Sequence, residues 1–396
     1  MTVLTTAVEK FGARAASYAV GYRVELVSDW AQAVARWGAF EPLTGFQHPQ
    51  WYASWYRAFA STDGVSPLIA IVSDAATGER AALLPLICHR QGGLRIVEFA
   101  DLNLTDFNAP LLGPAAPRDD VTAWQFWRDL QAALRKVYGG ADLVRFRKMP
   151  VRLAGRPNPV ALLDGVGPSV VNGNLLTVGD DYNAWRYELD RKVRKELGRS
   201  WRVFTRERTA AFKIAADTDQ ALDLLSITEV QQGARLNGLG LNYVLDDPDC
   251  AAFYRDLVRE GADCGYAVMT ALTTRDEVVA TLLGVRAGSR YVMLRISNAG
   301  EKWSACSPGR LIIDRTIEAL HEDGVREFDF SIGNYSYKRR FRPQRTPLVD
   351  LSAPLSWRGQ PHALRDRAVL ALRHYPKLSA RLKRALGKAS PSREED

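Results

Sequence analysis

One order of elements occurs twice in this chain. A hairpin, a strand, a helix and a further strand are legible in SPLIAIVSD, ERAALLPLICHR, LRIVEFAD, AWQFWRDLQAALRKV and DLVRFR, and again in YAVMTALTT, EVVATLLGVRA, SRYVMLRIS, PGRLIIDRTIEALHEDG and EFDFSI. Matching pieces lie roughly 190–200 residues apart, and residue identity between them is weak. The strands alternate or run apolar with hairpin spacing, while the helices carry apolar residues at 3.6-residue spacing. Hairpins combined with a helical crossover imply a mixed, mostly antiparallel sheet flanked by helices, twice over. The expected class is α/β, mixed α+β, in two tandem halves.

The layout follows from that repeat. Residues 1–21 read as an N-terminal arm, 22–153 as the first half, 154–180 as a Gly/Pro/Asn-rich connector, 181–357 as the second half and 358–396 as a basic amphipathic tail. Tryptophan-rich helical stretches at Trp30–Trp37 and HPQWYASWYRAF open the first half. At 46% hydrophobic and 25% charged residues, the composition is that of a globular chain rather than a disordered or coiled-coil one. No apolar run approaches the roughly 20 residues of a membrane helix, and the first 22 residues lack the apolar core of an export signal. Four scattered cysteines without a CxxC, and five histidines without HxH or HxxxH spacing, argue against a disulfide framework and against a metal site. A cytoplasmic protein is expected, with membrane association left open.

Charge is concentrated at one end. Of the net +8, the segment 360–396 carries +5, from nine basic and four acidic residues. It reads either as a packed helix with a solvated basic face or as a peripheral contact with anionic membrane. A second basic run, Asp190–Arg208, reads either as a solvated helix face or as a phosphate-facing patch. It lacks the interleaved aromatics of a nucleic-acid platform, so nucleic acid is not the expected partner.

Candidate chemistry gathers between Val278 and Pro343. In EKWSACSPGR, Pro308 suits a first helical turn, Ser307 suits an N-cap and Gly309 permits close approach to the backbone. A helix start at a strand end is a natural phosphate cradle, although most such turns only start helices. In EFDFSIGNYSYKRRF, Phe328 and Phe330 share one strand face and Asp329 takes the other. Gly333 then ends the strand, and Tyr335, Tyr337 and Lys338 follow within a turn. A carboxylate, two phenols and an ammonium so close together suit proton transfer. The alternative is a structural cluster with Asp329 paired to Lys338 or to an arginine. No GxSxG elbow, Walker loop or strand-bound GxGxxG is present.

The run from VVATLLGVRAGSRYVMLRIS through SPGRLIIDRTIEALHEDGVREFDFSIGNYSYKRRF resembles the GNAT-like acyltransferases of the CelD/BcsL type. Pro308, Gly309, Leu311, Gly324, Phe328, Asp329, Phe330, Gly333, Tyr337, Lys338 and Phe341 carry the resemblance. Upstream, HPQWYASWYRAF and QQGARLNGLG match more loosely, with Arg235 matching and Leu236 standing where a tryptophan is usual. The resemblance implies two GNAT-like halves related to the Fem-type peptidyl transferases. It implies an acyl-CoA co-substrate, rather than a permanently bound cofactor, held by Ser307, Pro308, Gly309, Arg310 and Gly333. Tyr337, then Tyr335, is implied as the acid for the leaving thiolate, with Asp329 and Lys338 in support and Arg235 on the substrate. The turn Cys306–Leu311 departs from the usual GNAT pyrophosphate loop at its first and last positions. The implied acceptor is a small or polymeric sugar, lipid or envelope polysaccharide precursor. A weakly catalytic scaffold and a Fem-type aminoacyl-tRNA-dependent transferase are the other readings.

Overall fold

The computed structural model describes residues 21–38, 42–137, 139–238, 240, 247–333 and 335–373. All of the arm 1–21 but its last residue, and most of the basic tail, lie outside the described residues. Through the first part of the chain the elements are β1 (Tyr22–Val27), α1 (Trp30–Trp37), α2 (Pro49–Phe59), β2 (Val65–Asp74), β3 (Arg80–Gln91), β4 (Leu94–Phe99), α3 (Asp120–Leu134) and β5 (Leu143–Pro150). Next come β6 (Gly167–Thr177), α4 (Tyr182–Glu188), α5 (Arg191–Phe204), β7 (Ala211–Ile214), α6 (Thr218–Gly238) and α7 (Pro248–Gly261). The remainder is β8 (Ala267–Thr273), β9 (Val278–Ala287), β10 (Arg290–Asn298), α8 (Pro308–Glu322), β11 (Glu327–Asp329), α9 (Ser336–Arg339), β12 (Gln344–Pro354) and α10 (Gln360–Arg373).

Two compact units result, each a mixed, mostly antiparallel sheet flanked by helices. The first draws on the described residues before Thr44, on those of Ala60–Val171 and on the described residues from Pro347. Its strands run β1-β2-β3-β4-β5-β12. All neighbours are antiparallel except β4 and β5, which pair in parallel at Ile96↔Leu143 and Val97↔Val144. The hairpin turn between β2 and β3 closes where Asp74 accepts from the amides of Ala76 and Thr77, and Gly78 takes a left-handed φ of 75°. Helix α3 makes the crossover between β4 and β5. Asp119 caps it through the Thr122 amide, and Ala123, Phe126, Leu130 and Leu134 bury against Val97, Phe99, Val144 and Phe146. On the opposite face, Ala363 of α10 packs with Leu94, Ile96 and Leu143.

The second unit takes Thr44–Phe59 and Asn172–Thr346. Its strands run β6-β11-β10-β9-β8-β7, again antiparallel except for the β10–β11 pair. Helix α8 is the crossover; Leu311, Ile312, Ile317 and Leu320 pack on Leu282, Met293 and Phe328. Helices α6 and α7 cover the other face. Helix α2 lies against α7, where Trp51 meets Phe253 edge-on at 5.0 Å, and the Tyr266 hydroxyl donates to the Gly45 carbonyl at 2.8 Å.

Part of the expected connector is a strand. Gly167–Thr177 pairs with β11 through Leu175, Leu176 and Thr177. Its Gly- and Asn-rich sequence conceals this, yet two of those residues have specific work. A Cβ on Gly167 would stand 2.7 Å from the Leu370 Cβ of α10, and Asn174 holds a loop described below.

Candidate functional site

The second unit contains the divergence that shapes its site. Strand β11 pairs with β10 over three residues only, Arg290↔Glu327 to Val292↔Asp329. Beyond Val292, β10 runs on to Asn298, whereas the chain after Asp329 turns aside through Ser331 and Gly333, both at left-handed φ (64° and 95°). The register of β9 and β10 shifts between Leu283 and Gly284, placing Leu294 as an extra residue in β10 at the start of the diverging stretch. Parallel strands that part in this way leave the backbone of one of them available to a ligand.

Helix α8 begins beside the end of β10. A Cβ built on Gly309 would meet Asn298 Nδ2 at 3.8 Å and Ile296 Cδ1 at 4.0 Å, which is ordinary contact. Ser307 does not cap the helix in the expected way: it takes a left-handed φ of 48°, and its side chain makes no cap bond. Its carbonyl accepts the Arg310 and Leu311 amides at 3.0 and 3.1 Å, while its hydroxyl accepts from Arg310 Nη2 at 2.7 Å. Among the described residues the Gly309 amide has no partner, so it is the helix-start donor left for an anion. Pro308 occupies the first helical position and is buried. The Arg310 guanidinium turns toward α5, where Glu196 accepts from it at 3.2 Å and from Arg340 at 2.5 Å. With Val193, Leu197, Ser200 and Phe341, these three side chains line a shallow pocket.

Beyond β11, the acidic and basic candidates separate. Asp329 is fully buried and pairs with Arg290 at 2.5 Å, accepting also from the Ser331 amide at 2.8 Å. Burial pushes its carboxyl above the usual range against the pull of Arg290. Of the two partners the sequence allowed, the arginine is the one that binds it. Lys338 is buried too, and its ammonium donates to the Ile332 carbonyl at 2.5 Å. Both residues therefore fix the turn that carries the tyrosines. Asn174, which sequence reasoning missed, does the same: its Nδ2 donates to the Ser331 and Gly333 carbonyls at 2.8 and 2.9 Å. Gly333 is needed here on two counts, its φ and the Tyr335 ring, which would stand 2.8 Å from a Cβ.

Tyr335 and Tyr337 lie in near-parallel planes with ring centroids 6.0 Å apart. Tyr335 is exposed and Tyr337 half-buried against the unit's core. Burial raises the Tyr337 phenol well above its ordinary value, and Arg235, on the last turn of α6, opposes that rise. The charge of Arg235 thus acts on Tyr337 across about 100 residues of sequence. One turn earlier on α6, Gln232 donates to the Ile296 carbonyl at 2.7 Å and accepts from Arg295, and Gln231 accepts from Ser297 at 2.7 Å. These glutamines tie α6 to the diverging end of β10; the alternation of β10 alone gave no hint of them. A phenol held as the neutral acid, within the field of a cation, can deliver a proton to a leaving group.

Residues 191–339 match the family model described as an acetyltransferase (GNAT) domain. That match lies within the second unit. No curated protein matches the chain. Among solved structures, FemX is similar in fold, at 10% identity and a TM-score of 0.55, over 82% of this chain and 98% of that one. A tandem GNAT protein from the clavulanic acid biosynthesis pathway aligns over 84% of this chain and 99% of its own at 12% identity and a TM-score of 0.45. The C-terminal domain of a putative lysylphosphatidylglycerol synthetase from Agrobacterium fabrum aligns over 81% and 91% at 14% identity and a TM-score of 0.46.

Proposed function

We propose that the chain is an acyl-CoA-dependent N- or O-acyltransferase of the CelD/BcsL type, with its site in the second unit. The acceptor class is a sugar, lipid or cell-envelope polysaccharide precursor. One observation carries this reading: the Gly309 amide, the diverging end of β10, and a Tyr337 phenol under the field of Arg235 all fall within the residues 191–339 that match the GNAT model. The donor lies along the parted end of β10 with its phosphates at the start of α8. The acceptor nucleophile attacks the thioester carbonyl directly, a C–N or C–O bond forms as the C–S bond breaks, Tyr337 protonates the thiolate, and the proton shed by the nucleophile restores the Tyr337 phenol. Arg235, exposed on α6, orients the acceptor or its charge.

The FemX likeness favours one second reading, a Fem-type transferase that takes its acyl group from aminoacyl-tRNA. The basic outer side of α5 suits such a donor, since Arg191, Lys192, Lys195, Arg199 and Arg202 are all exposed. A transfer assay separates the two. Free thiol released from acyl-CoAs of increasing chain length, in the presence of amino sugars and envelope lipid precursors, supports the first. Turnover of aminoacyl-tRNA with no thiol release from any CoA supports the second. Turnover of neither favours a scaffold.

A further inference from the structure

Helix α10 presents two unlike sides. Inward, Ala363 and Leu370 are buried, and Asp366 turns toward the sheet of the first unit. Its carboxylate accepts from Arg145 Nε at 3.0 Å and Nη2 at 2.9 Å and from the Ser352 hydroxyl at 3.1 Å. Asp366 is the one acid between Trp357 and Arg373. Outward, the 3.6-residue period aligns Pro361, Leu364 and Ala368, with Trp357 in the turn just before the helix. Trp357 is 82% exposed and Leu364 63%. Arg358, Arg365 and Arg367 are exposed near this stripe; Arg358 also donates to the Gly93 carbonyl, Arg365 to Asp366 and Arg367 to the Ser352 carbonyl.

A tryptophan and a leucine held in water, on a helix where arginines outnumber the single carboxylate Asp366, form an apolar stripe in a net cationic frame. We propose that this side of α10 docks on an anionic lipid surface, with Trp357 and Leu364 entering the headgroup boundary. Charge complementarity selects that occupant over a neutral apolar partner: Trp prefers the interface, and each nearby arginine gains from anionic headgroups. The sequence beyond Arg373 carries further basic residues, Lys377, Arg381, Lys383, Arg384, Lys388 and Arg393, against three terminal acids. Among the described residues no helix is long and apolar enough to cross a membrane. The inference stands on the first unit and does not depend on the acyl donor of the second.

Sedimentation of the full chain with vesicles tests it. Binding is expected to vesicles containing phosphatidylglycerol, to weaken with added salt, and to be absent with phosphatidylcholine alone. The double variant Trp357→Ala/Leu364→Gln should lower partitioning about tenfold with an unchanged melting temperature, because both side chains are exposed. Arg365→Gln should lower it less, and only for anionic vesicles. Equal binding to both vesicle types, or undiminished binding of the double variant, would overturn the proposal. So would a concentration-dependent dimer that the double variant dissolves, which would make a second copy of the chain the occupant.

Discussion

The two units share a parallel junction but treat it differently. In the second, β10 continues past its pairing with β11, and the other strand turns away. In the first, β4 stops at Phe99 and β5 runs on to Pro150, paired to β12. The chain leaving β4 folds back along that continuation: Asn108 donates its amide to the Lys148 carbonyl and its Nδ2 to the Arg147 carbonyl and to Asp101. The Lys148 ammonium bonds Asp101 at 2.8 Å and the Thr105 carbonyl at 2.5 Å. Segment 101–108 therefore occupies with its own side chains the ground that the second unit leaves open. A repeated topology does not imply a repeated site; what decides is which strand of the parallel pair runs on.

That contrast can be broken from either side. The largest expected effect is on the second unit: Tyr337→Phe keeps the ring and should lower kcat by about 10²–10⁴-fold, with the melting temperature unchanged. Full turnover in Tyr337→Phe would assign the proton elsewhere. In the first unit, Lys148→Met removes the cation from a mostly buried carboxylate, and a loss of about 3–5 kcal/mol of stability is expected by denaturant titration. Its CoA affinity should not change. A stable Lys148→Met protein with altered donor binding would mean that the first unit also holds ligand.

The smallest effect is one of pH. His48 belongs to the second unit, where its ring stacks on Tyr266 at 3.9 Å and burial pushes it down to about 4 from 6.5. The unfolded chain takes up a proton near pH 6.5 and the folded chain only near 4. The stability due to the neutral ring is therefore full above pH 6.5 and is lost as pH falls toward 4. His48→Gln should flatten the fall of melting temperature across that window, and an unchanged slope would exclude His48 as its source.

Much of this was legible in the sequence, for a physical reason. Hairpins, crossover helices and the strand–turn–helix run from Phe328 to Phe341 are set by local periodicity and turn chemistry. Partners distant in sequence left no such trace. Arg290 on Asp329, Asn174 on the Gly333 loop and Glu196 between two arginines depend on how strands and helices meet. The strand Gly167–Thr177 was hidden because Gly167 answers to α10 and Asn174 to the Ser331–Gly333 loop rather than to strand propensity. Segment 44–59 lies between β1 and β2 of the first unit in the chain yet belongs to the second, an assignment that chain order cannot reveal. Of the candidate site, the tyrosines and the α8 turn were visible as motifs, while the parting of β10 from β11 required the register.

The central claim is that one unit, the second, holds the acyl donor at the turn before α8. Isothermal titration of the wild-type chain and of Gly309→Val with acetyl-CoA and longer acyl-CoAs tests it most directly. A Cβ at Gly309 meets no backbone, so the variant should fold normally while its branched side chain narrows the approach to the one unpartnered amide of the turn. One site per chain is expected in the wild type, and in Gly309→Val an affinity at least about tenfold weaker, the loss of one good charge-assisted hydrogen bond. Two sites per chain, no binding of any CoA, or unchanged affinity in Gly309→Val would contradict it.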